Sequence, residues 1–172
     1  MSHAGNLRAR PAYNGDASPD EDIRSLRIGV NASYLIPGRV GGTEIYLRSL
    51  MAALAEIDSA NQYVVFTNRE TGPDLVPAAE NFTCVQTSIH ASFRPTRILW
   101  EQTGLPVAVA RHGLDVLFNP GFTSPMLCPC ASVTVFHDLQ HKRRAELFRR
   151  FDLPFWRILL YASAHLSTRL LA

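Results

Sequence analysis

The sequence has few cysteines, no long apolar run and almost no excess of charge, and each shortage excludes a class of protein. Three cysteines in 172 residues are an odd number and cannot form a complete disulfide framework. The most apolar stretch, residues 155–172, is interrupted by Arg157, His165 and Arg169, whereas a membrane span needs about 18 uninterrupted apolar residues. Seventeen Lys and Arg against fifteen Asp and Glu leave a net charge of +2, which gives no overall case for nucleic-acid binding.

The start of the chain also lacks the apolar core of a secretory signal, so we expect a cytoplasmic protein. Residues 1–24 combine glycine, proline and mixed charges with few large apolar side chains, and this composition predicts a disordered leader. Over the whole chain 47% of residues are apolar, enough for a proper hydrophobic core. We therefore expect one folded domain over residues 25–172.

Strand-like segments recur along this domain and alternate with helical patterns. The five segments are 26–30, 62–67, 82–87, 115–119 and 132–136. Residues 62–67 are apolar on both sides, as expected of a parallel strand that is covered on both faces. Strands that alternate with helices imply a parallel sheet with right-handed crossovers. The predicted fold class is therefore α/β, a Rossmann-like parallel sheet flanked by helices.

A first helix is predicted directly after a glycine-rich loop. Thr43 can cap its start, and Glu44 suits the positive end of its dipole. The apolar residues that share one face of this helix are Leu47, Leu50, Met51 and Leu54.

Two further helices are predicted in the second half of the chain. Residues 96–112 have a helical pattern, but Pro106 removes an amide donor and predicts a break or kink near Gly104-Leu105. Gly113 can close this helix in a left-handed conformation. Asp152 can cap a final helix that continues to the end of the sequence. The residues predicted to line one face of that helix are Phe155, Leu159, Ala162 and Leu166.

Three groups of residues that could take part in binding or catalysis follow strands, at the same predicted edge of the sheet. Gly41 and Gly42 follow the first strand, Asn119-Pro120-Gly121 the fourth, and His137-Asp138 the fifth. Ligands of open parallel sheets bind outside the carboxyl ends of the strands. The sequence therefore predicts a site at this edge.

Each group has a functional and a structural interpretation. Gly41 and Gly42 can bring backbone amides of a helix N-terminus close to a phosphate, or form a plain flexible loop. Their spacing is not G-x-G-x-x-G, which disfavours a nicotinamide cofactor. Asn119-Pro120-Gly121 is ordinary turn chemistry. His137 can hydrogen-bond an oxygen or shuttle a proton, or simply satisfy backbone groups at the strand end.

Metal and membrane alternatives arise from the neighbouring residues. His137, Asp138 and His141 form H-D-x-x-H, a weak pattern for a metal-dependent hydrolase that needs further ligands. Cys128 and Cys130 have no second pair, so thiols that hold no metal are expected there. Residues 141–156 mix basic and aromatic side chains, which could touch the inner face of an anionic membrane or form a solvated loop with core aromatics.

The ordered set of segments resembles the N-terminal domain of family-4 glycosyltransferases, which have the two-domain GT-B fold. The resemblance covers nearly all of residues 27–171. Each motif is weak alone, and their order and spacing make the set specific. The segments that carry it are RIGVNA at 27–32 with GGTEIYL at 41–47, YVVFTN at 63–68, WEQ at 100–102 with LP at 105–106 and GLDVL at 113–117, and VTVFHDL at 133–139.

The resemblance implies retaining transfer of a hexosyl group from a nucleotide-sugar to a sugar or lipid-linked acceptor. Residues 41–44 (Gly41, Gly42, Thr43 and Glu44) would belong to the loop that closes on the donor diphosphate and the acceptor, with the role of Glu44 open. His137 would point into the cleft near the transferred sugar, and Asp138 would support that turn. Residues 119–122 (Asn119, Pro120, Gly121 and Phe122) would line the acceptor side. The resemblance implies neither a resident cofactor nor a metal.

The resemblance also implies that a second domain, not found in these residues, binds the nucleotide. The sequence is thus expected to be a fragment, the acceptor-side half of a glycosyltransferase, and inactive alone. The alternative is a non-catalytic binding module that kept the fold and lost the chemistry. That alternative predicts an exposed apolar face around Phe155, Trp156 and Leu159.

Overall fold

The computed structural model describes residues 24–137 and 152–172, and for residues 152–155 it describes the backbone alone. The predicted leader therefore lies outside the described residues, apart from its last residue. The described part forms six strands and three helices. In chain order they are β1 (Arg27–Asn31), α1 (Gly42–Ile57), β2 (Gln62–Thr67), β3 (Phe82–Gln86), α2 (Arg94–Arg111), β4 (Val116–Asn119), β5 (Ala131–Val135), α3 (Asp152–Leu166) and β6 (Arg169–Leu171).

All six strands pair in parallel in one sheet, in the order β3-β2-β1-β4-β5-β6. In the centre of the sheet, Val30 of β1 is opposite Val65 of β2 on one side and Phe118 of β4 on the other. This architecture confirms the predicted α/β, Rossmann-like parallel sheet. Because the chain winds outward in one direction from β1 and in the other from β4, the strand order reverses between these two strands, which is where ligands of such sheets bind.

The hydrophobic core lies on both faces of the sheet, because successive side chains of a strand point to opposite sides. On one face, Val30 and Val65 pack with Leu47 and Met51 of α1. On the other face, Val64, Phe66 and Leu117 pack against Leu105 and Val109 of α2. This two-sided burial explains why residues 62–67 show no alternation in the sequence.

The start of α1 differs from the prediction. Gly41 occupies the N-cap position, with a φ of 59°, and no side chain caps the helix. Thr43 is already inside the helix, so its predicted capping role is wrong. Glu44 does lie in the first turn, as predicted from its charge. The glycine at the cap lets the loop enter the helix with a positive φ, a conformation that residues with a Cβ rarely adopt.

Helix α2 continues through Pro106, so it is not broken near Gly104-Leu105. The proline removes only the amide that would bond to the carbonyl of Gln102. Burial of Leu105 and Val109 on the sheet side holds the two halves in line. The helix end agrees with the prediction, because Gly113 has a φ of 58° and the Leu114 amide donates to the carbonyl of Val109.

The last helix also differs from the prediction. It ends at Leu166, and residues 169–171 form β6, a strand that the sequence analysis assigned to the helix. Leu166 is 56% exposed, while Leu159, Leu160 and Ser163 are buried. The buried face is therefore rotated relative to the predicted one. Just after the helix end, the backbone amide and the hydroxyl of Ser167 both donate to the carbonyl of Ser163.

Candidate functional site

Two buried asparagines form the floor of the site, at the point where the strand order reverses. Asn31 ends β1 and Asn119 ends β4. Nδ2 of Asn31 donates to Oδ1 of Asn119 over 3.2 Å, and both residues are buried. Oδ1 of Asn31 in turn accepts from the backbone amide and the hydroxyl of Ser33. The carboxyl ends of the two central strands are thus joined by side chains as well as by backbone.

The glycine-rich loop before α1 is held in shape by Glu44. Its carboxylate accepts from the Gly38 amide over 2.7 Å and from Nε of Arg48 over 3.0 Å. The Gly38 amide and the Arg48 side chain together hold the pKa of Glu44 below its ordinary value. A carboxylate that closes a loop in this way gives Glu44, whose role the resemblance left open, a clear structural function.

The start of α1 is open to the surroundings. A Cβ atom at Gly41 or Gly42 would meet no other atom within 4 Å. With no side-chain cap, the first backbone amides of the helix are free to face a ligand. Such amides and the helix dipole attract an anion, which is the functional one of the two interpretations of this loop.

The loop after β4 brings Asn119 to Phe122 beside His137, as predicted from their shared edge. Nε2 of His137 lies 3.0 Å from the carbonyl oxygen of Pro120. Because a carbonyl oxygen only accepts, Nε2 carries the proton in this contact, and Nδ1 is the ring nitrogen that the contact leaves unused. His137 is exposed, so Nδ1 can accept a hydrogen bond from a ligand.

Two aromatic rings orient His137. The ring of Tyr46, from α1, lies 4.9 Å from the imidazole centroid, and the ring of Phe122 lies 5.5 Å from it, both edge to face. Phe122 has a φ of 69°, the one positive value among the described residues other than glycine. This strained backbone directs the Phe122 ring towards His137.

Tyr34 is a member of the site that the sequence analysis missed. It follows β1 by three residues and is 8% exposed, and its hydroxyl has no hydrogen-bond partner among the described residues. In the sequence it follows a buried strand and precedes Leu35 and Ile36, so it has the appearance of a core aromatic. An aromatic residue with a polar tip directly after β1 was the signal that could have found it.

A buried acidic side chain, Glu101, was also missed below the loop after β4. Arg97 and Glu101 are one helical turn apart on α2, and Glu101 is 1% exposed. Burial raises the pKa of the Glu101 carboxyl, while the Thr123 hydroxyl and Arg97 act to lower it. Burial also lowers the pKa of Arg97. Oε1 of Glu101 and Nε of Arg97 have no hydrogen-bond partner in the described ranges. In the sequence, Glu101 stands out only as part of the resembling segment WEQ at 100–102.

Other predicted features fall elsewhere. Asp138 and His141 lie outside the described residues, and so does most of the predicted membrane-contact segment 141–156. Its Trp156 is described, and the Arg94 guanidinium lies 5.8 Å from the centroid of that ring. No helix within residues 24–137 and 152–172 is both long enough and apolar enough to cross a membrane.

The described residues also bear on metals and cavities. Among them, no three His, Cys, Asp or Glu side chains are close enough to hold a metal ion. The three cysteines are free thiols, and Sγ of Cys128 lies 3.7 Å from Sγ of Cys130. A cavity of about 580 Å³ lies away from the candidate site, between α2 and strands β2 and β3, with Trp100 and Arg111 among its lining residues.

Comparison with known proteins does not extend this picture. No protein-family model matches the chain, and no curated protein matches it at a significant level. The fold and the residues at the carboxyl edge of its sheet are therefore the basis for a functional proposal.

Proposed function

We propose that this chain is the acceptor-side domain of a glycosyltransferase that transfers a hexosyl group from a nucleotide-sugar. The observation that supports the proposal is the contact of His137 with two of the elements that follow strands of the sheet. His137 lies against Tyr46 of α1, the helix that the glycine-rich loop precedes, and against Pro120 of the loop after β4. The resemblance adds the reaction class, and the second domain that it implies would hold the nucleotide.

The roles within this proposal follow from the chemistry of the groups. The amides of Gly42 and Thr43 at the α1 N-terminus would stabilise negative charge on the departing diphosphate. His137, oriented by Tyr46 and Phe122, would face the transferred sugar through Nδ1. Asn119 to Phe122 would form one wall of the acceptor side.

The test is hexosyl transfer by the chain expressed together with the coding sequence that follows the Ala172 codon. Carbon-14-labelled UDP-glucose, GDP-mannose and ADP-glucose serve as donors, with free sugars and lipid extracts as acceptors. We expect transfer with retention at the anomeric carbon, and a fall in kcat of about 10²–10⁴-fold in His137→Ala, the range typical of a lost acid–base group. The matched control is His165→Ala, an exposed histidine on α3. Equal activity of the two variants would remove the role given to His137.

A second candidate, a non-catalytic interaction module, is favoured by one observation. Several apolar side chains of α3 and β6 are exposed, and β6 forms an edge of the described sheet. They are Ile158, Tyr161, Leu166, Leu170 and Leu171. The predicted exposed face around Phe155, Trp156 and Leu159 is corrected at Leu159, which is 1% exposed. Sedimentation velocity of the purified chain tests this candidate, since a strictly monomeric chain that retains no partner contradicts it.

A further inference from the structure

Two cysteine sulfurs are in contact at the end of the loop after β4. Sγ of Cys128 lies 3.7 Å from Sγ of Cys130. Both side chains are half-buried and pack against the core cluster that includes Leu105 and Leu117. A disulfide bond brings two sulfurs to about 2.05 Å, so the two atoms are already neighbours in the reduced chain.

The loop that carries this pair is anchored on both sides of it. Before the pair, the side chain of Gln102 on α2 donates to the carbonyl of Ser124 and accepts from the amide of Met126. After it, Cys130 directly precedes β5. Pro129, between the two cysteines, has a fixed φ. The fold therefore holds the two thiols close together, in addition to their closeness in sequence.

The chemistry open to such a pair is metal binding or oxidation. A zinc site takes three or four protein ligands, and within residues 24–137 and 152–172 no three His, Cys, Asp or Glu side chains are close enough to hold a metal ion. Oxidation needs only the two sulfurs, because a dithiol becomes a disulfide by exchange with another disulfide. The contact between Cys128 and Cys130 therefore favours oxidation.

The surroundings distinguish the two thiols. Burial, followed by the charge of Cys128 and a hydrogen bond with it, raises the pKa of the Cys130 thiol. Cys130 therefore stays protonated while Cys128 makes the first attack, because the thiolate is the nucleophile. Once Cys128 is joined to the oxidant, it has neither a charge nor a thiol proton, so its contribution to the raised pKa of Cys130 ends. Cys130 is then the thiol that completes the reaction.

We propose that Cys128 and Cys130 form a site of reversible oxidation, at which a low-molecular-weight disulfide such as glutathione disulfide converts the two thiols into one internal disulfide. In the first step the Cys128 thiolate attacks one sulfur of the oxidant, whose S–S bond breaks, and one glutathione leaves. In the second step the Cys130 thiolate attacks Sγ of Cys128 and releases the second glutathione. The two thiol protons end on the two glutathione molecules, so the chain loses two electrons and two protons and the oxidant gains them.

This site is independent of the function proposed above. Cys130 precedes the first residue of β5, so the pair lies towards the amino edge of the parallel sheet. His137 and the residues that end β1 and β4 lie at the carboxyl edge. Oxidation of the pair therefore neither needs nor tests hexosyl transfer.

The experiment equilibrates the purified chain with mixtures of reduced and oxidised glutathione, folded in buffer and unfolded in urea. Free thiols are trapped with N-ethylmaleimide, and tryptic peptides are weighed by mass spectrometry. Peptide 112–142 contains Cys128 and Cys130 and no other cysteine, while Cys84 lies in peptide 70–97 and is the internal control. We expect peptide 112–142 of the folded chain to lose two hydrogen atoms and to carry no glutathione, and dithiothreitol to reverse this change. We expect the equilibrium to favour this disulfide about tenfold or more in the folded chain relative to the unfolded one.

Two variants complete the experiment. Cys84→Ser should form the same internal disulfide, whereas Cys130→Ser should stop with one glutathione attached to Cys128. Four results would overturn the proposal: glutathione attached to Cys128 or Cys130 as the final product in the unmodified chain, a disulfide that joins two chains, thiols in peptide 112–142 that stay reduced where Cys84 is modified, and equal equilibria for the folded and the unfolded chain.

Discussion

Asn31 donates a 3.2 Å hydrogen bond to Asn119, and this contact joins the last residues of the two central strands. Both side chains are buried, so removal of one leaves the other without its partner. We expect Asn119→Ala to lower the free energy of unfolding by about 1–3 kcal/mol, the usual penalty for a buried polar group left unpaired. Urea unfolding measures this change.

A variant with both asparagines replaced distinguishes the energy of the hydrogen bond between them from the energy of their other contacts. If the hydrogen bond carries the effect, Asn31→Ala with Asn119→Ala loses less than the two single variants together. Thr83→Ala, on the exposed side of β3, is the control and should change little. Strict additivity of the asparagine variants would show that the contact contributes nothing.

Gly121 is the glycine whose replacement should matter most in the site. Gly121→Ala places a Cβ atom on the Tyr34 ring, and we expect a loss of about 1–3 kcal/mol from overpacking, with displacement of that ring. Gly42→Ala is the matched control, because open space surrounds Gly42 and it lies in the first turn of α1. Thermal unfolding of both variants checks the contrast, and equal Tm values would contradict the close approach.

Glu101 gives the fold a pH dependence of defined sign. Burial raises the pKa of its carboxyl, so its contribution to stability is fully present below the ordinary value of 4.5 and is lost as pH rises through the raised value. Glu101→Gln keeps the shape and removes this titration. We expect its Tm, relative to the unmodified chain, to increase between pH 5 and pH 8.

The control for this pH series is Glu80→Gln, because Glu80 is exposed on the loop before β3. Its Tm difference from the unmodified chain should stay nearly constant over the same interval. A Glu101→Gln difference that is just as flat would mean that the carboxyl is ionised at both ends of the series, held so by Arg97.

Pro106 tests why α2 is continuous. Pro106→Ala restores the amide that can bond to the carbonyl of Gln102, and we expect stabilisation by about 1–3 kcal/mol, since proline is about 3 kcal/mol less favourable than alanine inside a helix. Val107→Ala, at an exposed neighbouring position, serves as the control. Denaturant unfolding that shows destabilisation by Pro106→Ala would mean that the proline itself shapes the helix.

The strands that could be predicted were those whose own residues form a strong sequence pattern. Strand β2 was predicted with its observed bounds, because buried β-branched and aromatic residues run through it without interruption. Strand β6 was missed, since Arg169–Leu171 is only three residues long and gains its identity from pairing with β5. The sequence has no local signal for a strand that is defined by its neighbour.

The sequence predicted which groups of residues lie at the candidate site, but it did not predict the contacts between individual side chains. The rule that parallel strands end at one edge placed Asn119 and His137 together, and their contact through Pro120 agrees with it. Tyr34 and Glu101 were not predicted as site residues. Their importance comes from buried polar atoms without partners, and burial of one atom depends on packing between segments far apart in the chain.

The pairing of β1 with β4 has a consequence for synthesis of the chain on the ribosome. Asn31 and its partner Asn119 are 88 residues apart in sequence. At about 5–20 residues per second, the second strand emerges roughly 4–18 s after the first. During that interval one backbone edge of β1 has no partner, and such an edge is open to pairing with another nascent chain.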